Sequence, residues 1–123
     1  EEHDAATFQA KCLEALGHYE RALGFDPSLL SAMNGKAFVL TLLDRFTEAQ
    51  PLAETCFAAD PANSDYAWNL QAVYSALGRT TFARRTIETF LAAAPSHPMR
   101  NLFLQRLAEI EAMRAGSGGG APR

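Results

Sequence analysis

Three segments ending in proline limit what this chain can fold into. Phe25-Asp26-Pro27, Ala59-Asp60-Pro61 and Ala93-Ala94-Pro95 place their prolines at a constant spacing of 34 residues. Four further series keep the same offset: Ala15/Ala49/Ala83, Leu23/Phe57/Leu91, Leu43/Leu77 and Arg45/Arg79. One such match arises easily by chance. Five at one offset, with no gap, mark an internal repeat, and a period of this length means a stack of equal supersecondary units.

Each unit reads as two helices. From Leu29 to Leu43, the residues Met33, Ala37, Leu40 and Leu43 recur at three- and four-residue steps, the period of one helix face. Ser28, after Pro27, is the expected N-cap, and Asp44-Arg45 makes the turn. Thr47-Glu48-Ala49-Gln50 has the form of a capping box. With Thr47 as N-cap, Pro51 stays in the first turn, where no N–H is required. That helix runs to about Ala58 and stops ahead of Asp60-Pro61, because proline pushes the preceding residue out of the α region.

The next unit repeats the plan. A helix over 65–77 carries Ala67, Leu70, Tyr74 and Leu77 on one face, and Gly78-Arg79 turns the chain with the positive φ that glycine allows. A partner helix over 82–93 ends before Pro95. A last helix over 97–114 mixes Leu102, Leu104, Leu107 and Ile110 with Arg106, Glu109, Glu111 and Arg114, the pattern of a cap with a polar outer face. At the front, residues 5–24 read as one long helix with Phe8, Cys12, Ala15/Leu16, Tyr19 and Leu23 on its stripe. The expected organisation is a first repeat over about 1–28 that starts inside a unit, a second over 29–62, a third over 63–96, a capping helix over 97–114, and a flexible Gly-rich tail over 115–123.

A 34-residue helix-turn-helix unit resembles the tetratricopeptide repeat, whose loose pattern is Trp-x-x-Leu-Gly-x-x-Tyr, then Ala-x-x-x-Phe, then Pro. The resemblance covers nearly all of the chain before Gly116. In the third unit Leu70 and Tyr74 match the first helix, Ala83 the small residue of the second, and Gly78 and Pro95 the turns; Ile87 replaces the aromatic. In the first, Ala15, Tyr19, Ala22 and Pro27 match. In the second, Ala37, Ala49 and Pro61 fit, whereas Leu40 stands for Tyr, Ala53 for the aromatic, and Lys36 for the usual Leu. The resemblance implies an all-α fold, an α-α superhelix (a right-handed solenoid) of about three helical hairpins plus a C-terminal capping helix. Its concave groove, lined by the first helix of each unit, would receive a peptide or a partner helix.

Projected on that geometry, the groove presents Asn34, Phe38 and Thr41 from the second unit, Asp65, Trp68, Asn69 and Ala72 from the third, and Met99, Leu102 and Arg106 from the last helix. Trp68 lies one residue beyond the buried tryptophan position of the pattern, which Ala67 fills, so it is expected to turn toward the groove as an aromatic anchor. Packing of Trp68 into the core is the competing expectation. Asn34 and Asn69 could hold a peptide backbone, although asparagine is common at the Asn69 position in this family. Phe38, beside Val39 and Leu40, reads as core at least as readily as groove. One subfamily clamps a partner's C-terminal carboxylate with Lys, Asn and Arg on successive first helices, and Asn69 could match one clamp residue. Where the following helix should offer a basic pair it has Met99 and Phe103, with Arg100 out of register, so recognition of that kind is not expected.

Composition narrows the function classes. The formal net charge of −3 argues against a phosphate-driven nucleic-acid binder. Hydrophobic residues at 48% supply a core, yet the longest apolar stretches, such as Ala37 to Leu43, are too short for membrane insertion. Cys12 and Cys56 read as free core thiols; the compartment stays open, with a cytoplasmic setting favoured. His3, His18 and His97 lie on separate elements without ligand spacing, so no metal site is indicated. The Gly-rich tail lacks the Lys-Ser/Thr of a phosphate loop. No catalytic residues and no cofactor can be assigned. Arg79, Arg84, Arg85, Arg100 and Arg106 concentrate basic charge in the second half, with Arg84 and Arg85 expected on the solvated convex side. The expected function is an adaptor or scaffold module for a protein or peptide ligand. The alternatives are self-assembly into a homo-oligomer through the N-terminal repeat face, and a small secretion-type chaperone.

Overall fold

The computed structural model describes residues 2–119, and among these there are six helices and no strand. They are α1 (Glu2–Phe25), α2 (Leu30–Leu42), α3 (Phe46–Ala59), α4 (Ser64–Ala76), α5 (Thr80–Ala93) and α6 (Arg100–Gly119). The chain divides between Ala59 and Asp60 into two compact units. In the first, α1 packs on α2 and α2 on α3; in the second, α4 packs on α5 and α5 on α6. Among the described residues the fold is all-helical, and within each unit successive helices pack on one another.

The period seen in the sequence is reproduced in the backbone. Leu29, Asn63 and His97 each donate an N–H to the carbonyl three residues earlier, on Asp26, Asp60 and Ala94, at 3.2, 3.1 and 3.1 Å. Pro27, Pro61 and Pro95 therefore occupy the second position of one recurring turn, where their fixed φ is already correct. The turns inside the two hairpins also coincide. Arg45 N–H bonds Leu40 O and Arg79 N–H bonds Tyr74 O, both at 2.8 Å, while Asp44 N–H bonds Thr41 O at 3.0 Å and Gly78 N–H bonds Ser75 O at 3.1 Å. This is the paired bonding of a Schellman C-cap, in which the residue past the helix takes a left-handed conformation.

That tight turn corrects the expected start of α3. Arg45 closes the Schellman motif with its N–H and, with its carbonyl, accepts the Ala49 N–H at 3.1 Å, so the helix begins at Phe46 and leaves no residue to spare before Thr47. The capping box does not form. Glu48 is instead held by the Arg45 guanidinium at 2.7 and 2.8 Å, and Gln50 donates to Glu54 at 3.1 Å. Pro51 consequently lies inside the helix and leaves the Thr47 carbonyl without its usual i+4 donor. Ser28 is likewise not a cap. Leu29 is the N-cap of α2, and Ser28 donates its N–H and hydroxyl to Asp26 Oδ1 at 3.1 and 2.8 Å. In α4 the cap is Asn63, whose side chain accepts the Tyr66 N–H at 3.2 Å.

The cores follow the small residues of the repeat. Ala37, Ala49 and Cys56 are fully buried in the first unit, and Ala67, Ala83, Ile87, Phe90, Phe103 and Ile110 in the second. Alanine at these crossings lets helix axes approach closely. The ring of Tyr19 on α1 lies directly over Gly35 of α2, where any Cβ would collide with it. Lys36, at the usual Leu position, keeps its ammonium 3.5 Å from Glu20 on α1 instead of entering the core. In the second unit Phe90 stacks on Phe103, with ring centroids 4.2 Å apart, and this pair joins α5 to α6. α6 continues to Gly119, past the expected end at 114. The rest of the expected tail, 120–123, lies outside the described residues.

Candidate functional site

In the second unit, α4 and α6 flank an open cleft of about 400 Å³. From α4 it is lined by Trp68, Gln71 and Ala72, one turn of a single face. From α6 it is lined by Leu102, Gln105, Arg106 and Glu109, again at three- and four-residue steps. The α4 face points here because its other side is committed to packing: Ala67, Leu70, Val73 and Tyr74 are buried.

Trp68 is half-buried and meets the edge of Phe103, with centroids 5.2 Å apart and ring planes at 89°. This T-shaped contact fixes the indole while part of its surface faces the cleft. The polar floor is made by Gln71, only 2% exposed, whose Oε1 accepts a hydrogen bond from Arg106 Nε at 3.0 Å. Because an Arg N–H can only donate, this bond fixes which amide atom is oxygen. Arg106 Nη1 donates in turn to Glu109 at 3.2 Å. Gln71 interrupts the repeat. The residue 34 positions earlier is Ala37, fully buried in its own hairpin, so a buried amide stands where the other hairpin has a methyl group.

The expected groove residues divide accordingly. Trp68, Ala72, Leu102 and Arg106 come together in this cleft. Asp65 is exposed on the first turn of α4, and Met99 is exposed just before α6, its N–H donated to His97 Nδ1 at 3.0 Å; neither lines the cleft. Asn69 is 6% exposed, one position round the helix from Trp68, and is not among the residues that line the cleft. Asn34, Phe38 and Thr41 belong to α2 in the first unit. Phe38 is 53% exposed and is not core, Asn34 is half-buried, and Thr41 spends its hydroxyl on the Ala37 carbonyl at 2.9 Å. Gln71, Gln105 and Glu109 were not legible as cleft residues. The available signal was Gln71 breaking a small-residue position in the repeat.

Arg84 is not the freely solvated cation expected of it. Its guanidinium reaches Glu88 at 3.3 Å and Glu111 of α6 at 4.0 Å. Glu48 and Cys56 of the first unit are perturbed. The Glu48 carboxyl is held below its usual range, chiefly by the hydrogen bond from Arg45. Burial pushes the Cys56 thiol up, and both cysteines are free and buried. Among the described residues, no group of three or more His, Cys, Asp or Glu side chains comes together that could hold a metal ion, and no helix is long and apolar enough to cross a membrane.

No family profile and no curated protein sequence matches the chain. Among solved structures it is similar to one titled "MamA RS-1 ArsTM double mutant". The TM-score is 0.64 at 16% sequence identity, over 86% of this chain and 69% of that one. MamA is a tetratricopeptide-repeat-containing protein, and at this identity the likeness establishes a similar helical-repeat fold.

Proposed function

We propose that the chain is a non-catalytic protein-interaction module whose second unit receives a peptide segment or partner helix in the cleft between α4 and α6. The observation that carries this reading is Trp68, braced edge-on by the buried Phe103 and half-buried beside Ala72 and Leu102. A rigid aromatic at the wall of a concave site contributes contact area at small entropic cost, which is the usual make-up of a binding hot spot. A space of about 400 Å³ holds a few side chains of a partner. Its only charged groups are Arg106 and Glu109, already bonded to each other, and such a pair offers no nucleophile and base for catalysis. An adaptor or scaffold role follows from this reading.

Trp68 is the only tryptophan in the chain, so its emission reports directly on the cleft. Peptides selected from a random library should shift that emission saturably, and Ala72→Arg, which fills the cleft from its wall, should abolish the response. Selected peptides that bind Ala72→Arg as well as wild type would place the binding surface elsewhere.

A second reading, self-association, is favoured by Phe8. It lies one turn before the buried Cys12 and Leu16 on the same α1 stripe, yet is half exposed. Light scattering over a wide concentration range tests it. A size that rises with concentration and reverts with Phe8→Asp supports self-association, and a constant monomer removes it.

A further inference from the structure

The cleft holds more polar machinery than an apolar anchor site requires. Gln71 is almost wholly buried, and its oxygen is committed to Arg106. The residue lines the cleft, where its amide nitrogen is a further N–H donor. Arg106 stands beside it with Nε on Gln71 and Nη1 on Glu109, leaving Nη2 as a further donor on the same planar fork. Glu109, the charged acceptor on this fork beside the Gln71 oxygen, has a side chain 52% exposed and can swing away.

We infer that the cleft recognises an acidic side chain, an Asp or Glu inside a partner segment, next to an apolar residue that seats against Trp68. This rests on the reading of the cleft as a protein-binding site. The carboxylate would take the place of Glu109 on Arg106 and accept the Gln71 amide N–H. The apolar neighbour would lie on the indole, Ala72 and Leu102. The complementarity is specific: one fork and one amide donate from the floor, and the walls are apolar. A cationic partner residue would find the floor already occupied by a guanidinium. The Gln71–Arg106 bond also pre-orients the fork, so little side-chain freedom is lost when the acid binds.

The test is selection from a random peptide library of about twelve residues, displayed without a free C-terminus, against the intact chain. Amidated synthetic copies are then titrated by Trp68 emission. The selected peptides should carry Asp or Glu within a few residues of a Leu or aromatic. Replacing that acid by Asn or Gln should weaken binding about tenfold, the usual scale for one charge-assisted hydrogen bond. Arg106→Gln should lose the same tenfold and no longer distinguish the two peptides. Glu109→Gln removes the competing carboxylate at an exposed position and should bind several-fold tighter, a gain that misfolding cannot imitate. Peptides that shift Trp68 emission but keep full affinity when their acid is neutralised would overturn this inference and leave the interaction-module reading standing. A library that yields no peptide acting on Trp68 would overturn both.

Discussion

Asp44 and Gly78, 34 residues apart, occupy the same left-handed position after α2 and α4, with φ of 58° and 74°. Asp44 is the only described non-glycine residue with positive φ. An L-residue with a Cβ is disfavoured there, although aspartate tolerates it better than most. Asp44→Gly should therefore stabilise the chain by about 0.5 kcal/mol, the relief being offset in part by the greater freedom of glycine in the unfolded chain. Gly78→Ala should cost about 1 kcal/mol. A Cβ at Gly78 would meet nothing within 4 Å, so that cost is the backbone's alone. Urea unfolding followed by circular dichroism gives both signs in one series, and equal signs would mean the two turns are not equivalent.

The contact of Tyr19 with Gly35 makes a second test. A methyl group at 35 would collide with the Tyr19 ring, so Gly35→Ala should destabilise the first unit by about 1–3 kcal/mol, the range for overpacking, despite alanine's better helix propensity. Combining it with Tyr19→Leu should recover part of the loss, because a smaller side chain leaves room for the methyl. Additive losses in this double-mutant cycle would locate the strain elsewhere.

Much of the fold could be read from residues that repeat. The prolines and small alanines recur because each hairpin solves the same turn and the same close approach, and the helices appear where the period places them. Helix starts were harder to read. Thr47-Glu48-Ala49-Gln50 has the right letters for a cap, but the Schellman turn ending at Arg45 starts the helix earlier and hands Glu48 to Arg45. The cleft was half legible for a related reason. Trp68 and Arg106 project from a repeat face that pattern can assign, whereas Gln71 gains its partner from a residue 35 positions away. Asn69 lies one position round the helix from Trp68, yet is not among the residues that line the cleft.

Phe103 couples the core of the second unit to the site. Its fully buried ring stacks on Phe90 and braces Trp68. Phe103→Ala should cost about 3–5 kcal/mol through the lost transfer energy and the cavity left behind. It should also release the indole, so native Trp68 emission moves to longer wavelength and peptide binding weakens. Phe103→Leu should keep most of the stability and lose the edge-on contact. If its emission matched wild type, the bracing role would be disproved.

Arg45 and Glu48 give the chain an acid-sensitive tie. The guanidinium grips both carboxylate oxygens, at 2.7 and 2.8 Å, and this hydrogen bond is the chief reason the Glu48 carboxyl titrates below the ordinary glutamate value of about 4.3. Desolvation works in the opposite direction, and the charges of Arg45 and then Lys36 lower it further. A depressed folded-state value means the unfolded chain takes up the proton first. The contribution is therefore complete above the unfolded value and is lost as pH falls through the folded one. In a carboxyl-carbon NMR titration, the Glu48 midpoint should lie below that of a free glutamate and rise toward it in Arg45→Gln. The stability difference between wild type and Arg45→Gln should stay constant from pH 7 to about 5 and close below about 4. It should also shrink in high salt, since both groups are solvent-exposed. A difference that persisted at pH 2 would mean that Arg45 stabilises α3 through packing of its stem, and that the carboxylate is incidental.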